Sequence, residues 1–238
     1  HNVVQLTSGE YTGPLLFMQF WIDTIAEWET ETGHDAVVAL SCTKDVQDAI
    51  LADPERARHV DIIDIRYWTY TNEGGLHAPA GGQHLSPRQH LRRLKPASTS
   101  FDSILRSVRE YRLKYSNKAV TYNAHLHCRA KRDGWAILLG GGSLPNTLPL
   151  EDELVRAICK MKPSKALNLA SKQWCLSDDD GNHLLYSDQN LPTRIPLPTT
   201  DTYTTVEISV DSGRQIRESS SAETLVVPEG RHVFWLRK

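Results

Sequence analysis

The chain has 238 residues, 39% of them hydrophobic and 24% charged, with a formal net charge of -2. Such a length and make-up allow one large or two small domains with a real core, and they exclude disorder of the chain as a whole. The near-neutral charge argues against nucleic-acid binding, and no apolar run approaches the roughly 18 to 20 residues that span a bilayer, since even Phe17 to Ile25 is broken by Gln19, Asp23 and Thr24.

Val3 to Leu6 reads as a short apolar strand. Pro14 to Thr32 reads as a helix, because Phe17, Trp21, Ile25 and Trp28 recur at three- and four-residue steps and Gly33 stands at a C-cap position. Strand Ala36 to Cys42, a helix through Val46 to Leu51, and strand Val60 to Tyr67 follow. Leu76 to Ser100 is rich in Gly, Pro, His and Arg without periodicity, which predicts a long loop. The alternation then resumes with a helix over Phe101 to Tyr115 (Ile104, Val108 and Tyr111 on one stripe), strands at Ala119 to Asn123 and Trp135 to Leu139, and a helix over Glu151 to Met161. Alternating strands and helices are the signature of βαβ units in a parallel sheet.

After Lys162-Pro163 the pattern changes to short strands at Leu184 to Ser187, Tyr203 to Val210 and Leu225 to Val227, divided by turn clusters such as Asp180-Gly181-Asn182 and Asp211-Ser212-Gly213. Two domains follow from this: residues 1–163 as the C-terminal part of a (β/α)8 TIM barrel, and residues 164–238 as a small all-β sandwich. Val206, Ile208 and Val210 share one parity and Glu207 and Ser209 the other, which predicts one buried sheet face and one wet face. A whole barrel takes about 250 residues and eight strands, and this segment supplies about five, so a preceding piece is expected, His1-Asn2-Val3-Val4 running directly into a strand. Cys42, Cys128, Cys159 and Cys175 are scattered without a C-x-x-C pair and read as buried thiols. No metal or cofactor is implied.

In (β/α) barrels the reactive groups lie where strands end at the carboxyl face. In Ile62-Ile63-Asp64-Ile65-Arg66-Tyr67-Trp68 the apolar parity belongs to Ile63 and Ile65, leaving Asp64 and Arg66 pointing inward, either as a mutually satisfied ion pair or as a substrate-binding pair. Ser8-Gly9-Glu10-Tyr11-Thr12-Gly13-Pro14 closes the first strand between glycines, which makes Glu10 the leading acid/base candidate. Glycoside hydrolysis usually needs a second carboxyl group, and with Asn123 ending the strand from Ala119, Asp64 and Asp45 are the nearest by strand-end position. Arg88, His90, Arg92, Arg93 and Lys95 crowd the long loop, just after Tyr67, Trp68 and Tyr70. Aromatic faces beside fixed cations suit sugars, acidic ones included, and a solvated basic loop is the alternative. His125 and His127 lack a third metal ligand at a diagnostic spacing. Gly140-Gly141-Gly142-Ser143 reads either as a tight turn or as a phosphate-holding loop.

The stretch from Asn2 to Gly142, carrying Thr7-Ser8-Gly9-Glu10-Tyr11-Thr12-Gly13-Pro14, the Ile62 to Trp68 segment and Ala78-Pro79-Ala80-Gly81-Gly82, resembles apiosidase-like barrel proteins of Bacteroidetes-type bacteria. The tail, with Trp174-Cys175-Leu176-Ser177, Val206 to Gly213 and Val233-Phe234-Trp235-Leu236, is similar to the collagen-binding-type sandwich that follows such barrels. The resemblance implies a secreted or periplasmic glycoside hydrolase acting on plant or microbial polysaccharide. The expected function is thus hydrolysis of an oligo- or polysaccharide, with Glu10 and Asp64 as the carboxyl pair and Arg66, Tyr67, Trp68, Asn123, Arg88 and Arg92 binding substrate. The alternative is a non-catalytic carbohydrate-binding or surface protein on a degenerate barrel. The only partner called for is the carbohydrate itself.

Overall fold

The computed structural model describes residues 3–6, 11–79, 99–123, 131–143, 149–198, 202–221 and 223–238. The architecture is mixed α/β and divides into two units, His1–Cys128 with Gly142–Pro145, and Arg129–Gly141 with Asn146–Lys238.

The first unit runs β1 (Val4–Leu6), α1 (Leu15–Thr32), β2 (Val37–Leu40), α2 (Lys44–Ala52), α3 (Pro54–Ala57), β3 (Ile62–Ile65), β4 (Thr69–Tyr70), β5 (Leu76–His77), α4 (Phe101–Lys114) and β6 (Ala119–Tyr122). Strands β1, β2, β3 and β6 form a four-stranded sheet in that order, parallel throughout, while β4 and β5 make a small antiparallel pair. The apolar parity of β3 behaves as expected, with Ile63 and Ile65 fully buried, and so does the stripe of Ile104, Val108 and Tyr111 on α4. Helix α1 differs by one position. Its buried line is Met18 and Ile22, whereas Phe17 and Trp28 are each 46% exposed, Phe17 stacked on Tyr11 and Trp28 tilted against His34. The helix carries apolar residues around most of its circumference, so periodicity alone did not single out the face that packs.

Helix α4 opens with a reciprocal cap in which Ser103 N–H donates to Ser100 Oγ (3.2 Å) and Ser100 N–H donates to Ser103 Oγ (2.7 Å). Ser100→Ala is expected to lower stability by about 1 kcal/mol, read as an earlier urea midpoint at unchanged slope; an unmoved midpoint would show the cap to be idle.

The second unit contains α5 (Lys131–Leu139), α6 (Asp152–Ile158), β7 (Lys162–Ser164), β8 (Gln173–Ser177), β9 (His183–Gln189), β10 (Thr193–Pro196), β11 (Tyr203–Ile208), β12 (Gln215–Ser221), β13 (Thr224–Val227) and β14 (Gly230–Arg237). Six strands form an antiparallel sheet in the order β12-β11-β14-β9-β8-β7, and β10 pairs with β13 separately. Cys175, Leu185, Tyr203, Phe234 and Leu236 from the larger sheet share one core with Ile195, Leu225 and Val227 from the smaller.

Two expectations are corrected here. Trp135 to Leu139 is helix, not strand: five consecutive apolar residues carry no period, and a buried helix takes them as readily as a strand does. Trp135 Nε1 donates to the Val210 carbonyl (3.1 Å), and both α5 and α6 group with the antiparallel strands, although the composition changes only near residue 163. Glu207 does not lie on a wet face. It is 9% exposed, while its neighbours Val206 and Ile208 are buried on the opposite side, so β11 is covered on both faces.

Candidate functional site

Parallel strands bring their carboxyl ends to one edge of the sheet, and three of those ends meet at Asp64. Its register partner on β6 is Thr121. Oδ1 accepts from Thr121 Oγ1 (2.8 Å) and Asn123 Nδ2 (2.8 Å), and Oδ2 accepts from Ser41 Oγ (2.7 Å) and Arg66 Nε (3.1 Å). The residue is 3% exposed. A carboxylate removed from water needs this many donors to offset its desolvation, and these come from the ends of β2, β3 and β6 at once.

The outer members of the cluster face solvent. The Arg66 side chain is 29% exposed and Asn123 is exposed, while the Asn123 N–H is fixed by the Ile65 carbonyl (2.8 Å). Among the described residues only Asp64 engages the Arg66 guanidinium, through Nε, and the two Nη groups take no partner. Asp64 thus orients a cation at the sheet's carboxyl edge. Of the two readings of the Asp64–Arg66 pair, the ion pair is observed.

Trp68 is corrected from a sugar platform to a core residue. It is fully buried, its indole N–H donates to Gln47 Oε1 (2.9 Å), Lys44 Nζ lies 4.6 Å from its ring centroid, and Tyr111 packs edge-on at 5.2 Å. Its faces are therefore taken by the protein's own groups. Lys44 is held by Glu110 (2.8 Å) and Asp48 (2.9 Å); burial works against its charge, but these two carboxylates outweigh it and raise its pKa. Tyr70 donates to Glu110 (2.7 Å) beneath the Arg106 guanidinium, and burial raises the pKa of its hydroxyl. Tyr111 donates to Asp48 (2.8 Å) and is raised further, by burial first and then by Asp48. Tyr67 is half-buried.

Sequence reasoning missed Ser41, Thr121 and Gln47. Gln47 is fully buried and donates to the carbonyls of Leu40 and Asp64 while accepting from Trp68, so one amide ties β2, β3 and the segment after β3 together. Its signal was present, because Gln47 falls on the same helical face as Ile50 and Leu51, where a polar residue must find partners.

Glu10, Arg88, Arg92, His125 and His127 lie outside the described residues. The phosphate-loop reading of Gly140 to Ser143 is corrected. Gly140 N–H and Gly141 N–H donate to the carbonyls of Ala136 and Leu138, ending α5, with Gly141 at φ 84° where glycine is favoured. Ser143 N–H is bound to the Val120 carbonyl. Of the cysteines described, Cys42 and Cys175 are buried and Cys159 is exposed. Burial, with help from Asp45, Asp48 and Asp64, pushes the Cys42 thiol pKa up, which suits a packing role. Among the described residues no cluster could hold a metal ion, and no helix is long and apolar enough to cross a membrane.

A parallel sheet with a polar cluster at its carboxyl edge defines an α/β protein whose candidate site is built from strand ends. Residues 1–161 match the family described as a domain of unknown function, DUF6298, and the chain belongs to that family. No curated protein matches it. Among solved structures, it is similar to the catalytic domain of a GH30 xylanase C from Talaromyces cellulolyticus (12% identity, 91% of this chain and 55% of that one, TM-score 0.42). It is also similar to a GH27 β-L-arabinopyranosidase from Geobacillus stearothermophilus (8%, 91% and 54%, TM-score 0.37) and to a pullulanase from Anoxybacillus (10%, 92% and 45%, TM-score 0.37). The chain spans about half the length of these structures. At these values the likeness bears on neither catalysis nor substrate.

Proposed function

We propose that the first unit is part of a (β/α) barrel that hydrolyses glycosidic bonds in an oligo- or polysaccharide, with Glu10 as the acid/base group and with Arg66 and Asn123 contacting the sugar. The observation that carries this reading is the Asp64 cluster at the carboxyl edge of the parallel sheet, where barrel enzymes place their chemistry. In this reading Asp64 is a positioning residue. An acid/base group needs a free oxygen for the reacting proton, and both oxygens of Asp64 already accept two hydrogen bonds each. An apiosidase-like specificity, an acidic substrate held by Arg88 and Arg92, secretion, and a sandwich arrangement for residues 164–238 belong to the same proposal.

The test is turnover of plant polysaccharides and aryl glycosides by the full-length protein. Glu10→Gln is expected to lower kcat by about 10²–10⁴-fold with KM little changed, and Arg66→Ala to raise KM by about tenfold or more, as loss of a hydrogen bond to a charged group should. Unchanged kcat in Glu10→Gln would sink the catalytic assignment. A second reading, non-catalytic glycan binding, is favoured by the occupation of both Asp64 oxygens; it expects retention on polysaccharide columns that falls in Arg66→Ala, without turnover.

A further inference from the structure

The antiparallel unit has a feature that its core does not require. Residues of β11 and β12 on the side of the shared core should be apolar, as Tyr203 is. Beyond Tyr203 they turn polar. Thr205 and Glu207 follow on β11, and their register partners on β12 are Ser219 and Arg217, with Ser221 opposite Tyr203. These five polar residues border a cleft of about 190 Å³ closed on its other side by β13, where Leu225 contributes an apolar wall. Thr205 Oγ1 donates to Ser221 Oγ (3.0 Å), while Ser219 Oγ has no hydrogen-bond partner among the described residues.

Glu207 is the centre of this cleft. Its side chain is 11% exposed, Arg217 Nη2 lies 3.0 Å from Oε2, and His232 Nδ1 lies 2.9 Å from Oε1. A carboxylate here is costly where an apolar residue would pack as well, and natural chains tend to break the packing pattern in this way where function is served. The pairing also sets the ligand class. Glu207 is already paired with the Arg217 guanidinium and in contact with His232, so the cleft does not call for an ion. It offers a fixed acceptor, a guanidinium on a 61% exposed side chain that can move to donate, and a row of hydroxyls, all facing an apolar wall. At about 190 Å³ it is smaller than the roughly 300–1,000 Å³ of ordinary ligand clefts, which suits one ring rather than a chain.

We infer that this cleft binds a single neutral sugar ring, with vicinal hydroxyls bridging Glu207 and Arg217, further hydroxyls on Ser219 and Ser221, and the ring's C–H face against Leu225. The choice of sugars among polyhydroxylated ligands rests on the carbohydrate reading of the first unit. The cleft itself does not.

The experiment is a titration of the isotope-labelled full chain with glucose, galactose, xylose and arabinose, and with glucuronate as the anionic control, followed by amide shifts. At least one neutral sugar is expected to give saturable shifts at Thr205, Ser219, Ser221 and Thr224 at or below about 50 mM, the weak affinity such a small contact supports. Ser219→Phe, on the exposed edge strand, should fill the cleft and abolish them without altering the remaining spectrum, and Glu207→Gln should weaken binding about tenfold. No saturable shift with any neutral sugar, shifts that survive Ser219→Phe, or a response to glucuronate alone would each overturn the inference. Sugar shifts that persist while Glu10→Gln leaves turnover unchanged would fell only the hydrolase reading, and turnover that falls in Glu10→Gln without sugar shifts would fell only this one.

Discussion

Asp64→Ala is expected to destabilise the protein by about 3–5 kcal/mol, the range for removing one partner of a buried charged network. The loss is large because four donors lose one shared carboxylate. Ser41, Thr121, Asn123 and Arg66 reach Asp64 from the ends of three strands, and each loses a charged acceptor when the carboxylate goes. Arg66 would also lose the contact that orients it. Urea unfolding followed by tryptophan fluorescence measures this directly. A carboxylate kept for proton transfer behaves in the opposite way: its removal leaves stability unchanged or raised while activity falls. A stability loss under about 1 kcal/mol, the scale of an ordinary hydrogen bond, would therefore show that Asp64 does not organise the strand ends and would restore it as a chemical group.

Trp68→Ala is expected to cost about 3–5 kcal/mol as well, through the cavity left by a fully buried indole. The same change removes the donor to Gln47 and the ring over which Lys44 sits, so the amide that joins β2 to β3 loses one of its three contacts. Trp68→Phe should lose less, since it restores most of the volume and forfeits only the hydrogen bond. An aromatic platform for sugar would give the reverse pattern, with binding lost and unfolding unmoved. Comparing the unfolding midpoint with retention on polysaccharide for the two variants separates these outcomes.

The order of parallel strands and helices in the first unit was legible because each βα segment has a distinct period: Ile63 and Ile65 alternate around Asp64, and Ile104, Val108 and Tyr111 fall on one helical stripe. Trp135 to Leu139 was not legible, since an unbroken apolar run fits helix and strand alike. Strand β12 was missed because Gln215–Ser221 is polar almost throughout, and its place on the sheet edge is set by pairing with β11, a long-range fact. At the candidate site, Asp64 and Arg66 were found because an acid and a base interrupt an apolar strand. The burial of Trp68 was hidden, because an aromatic just after a strand reads alike whether solvent or a lysine covers its face. Glu207 failed for a related reason: alternation distinguishes two faces but does not say whether the second is covered.

The two units interleave along the chain. Among the described residues, 131–141 group with the antiparallel strands, 142–143 with the parallel unit, and 149 onward with the antiparallel unit again. No single break in the chain separates them, because α5 precedes a segment that belongs to the other unit. A cut at residue 163, where the composition changes, would therefore part α5 and α6 from the strands they group with.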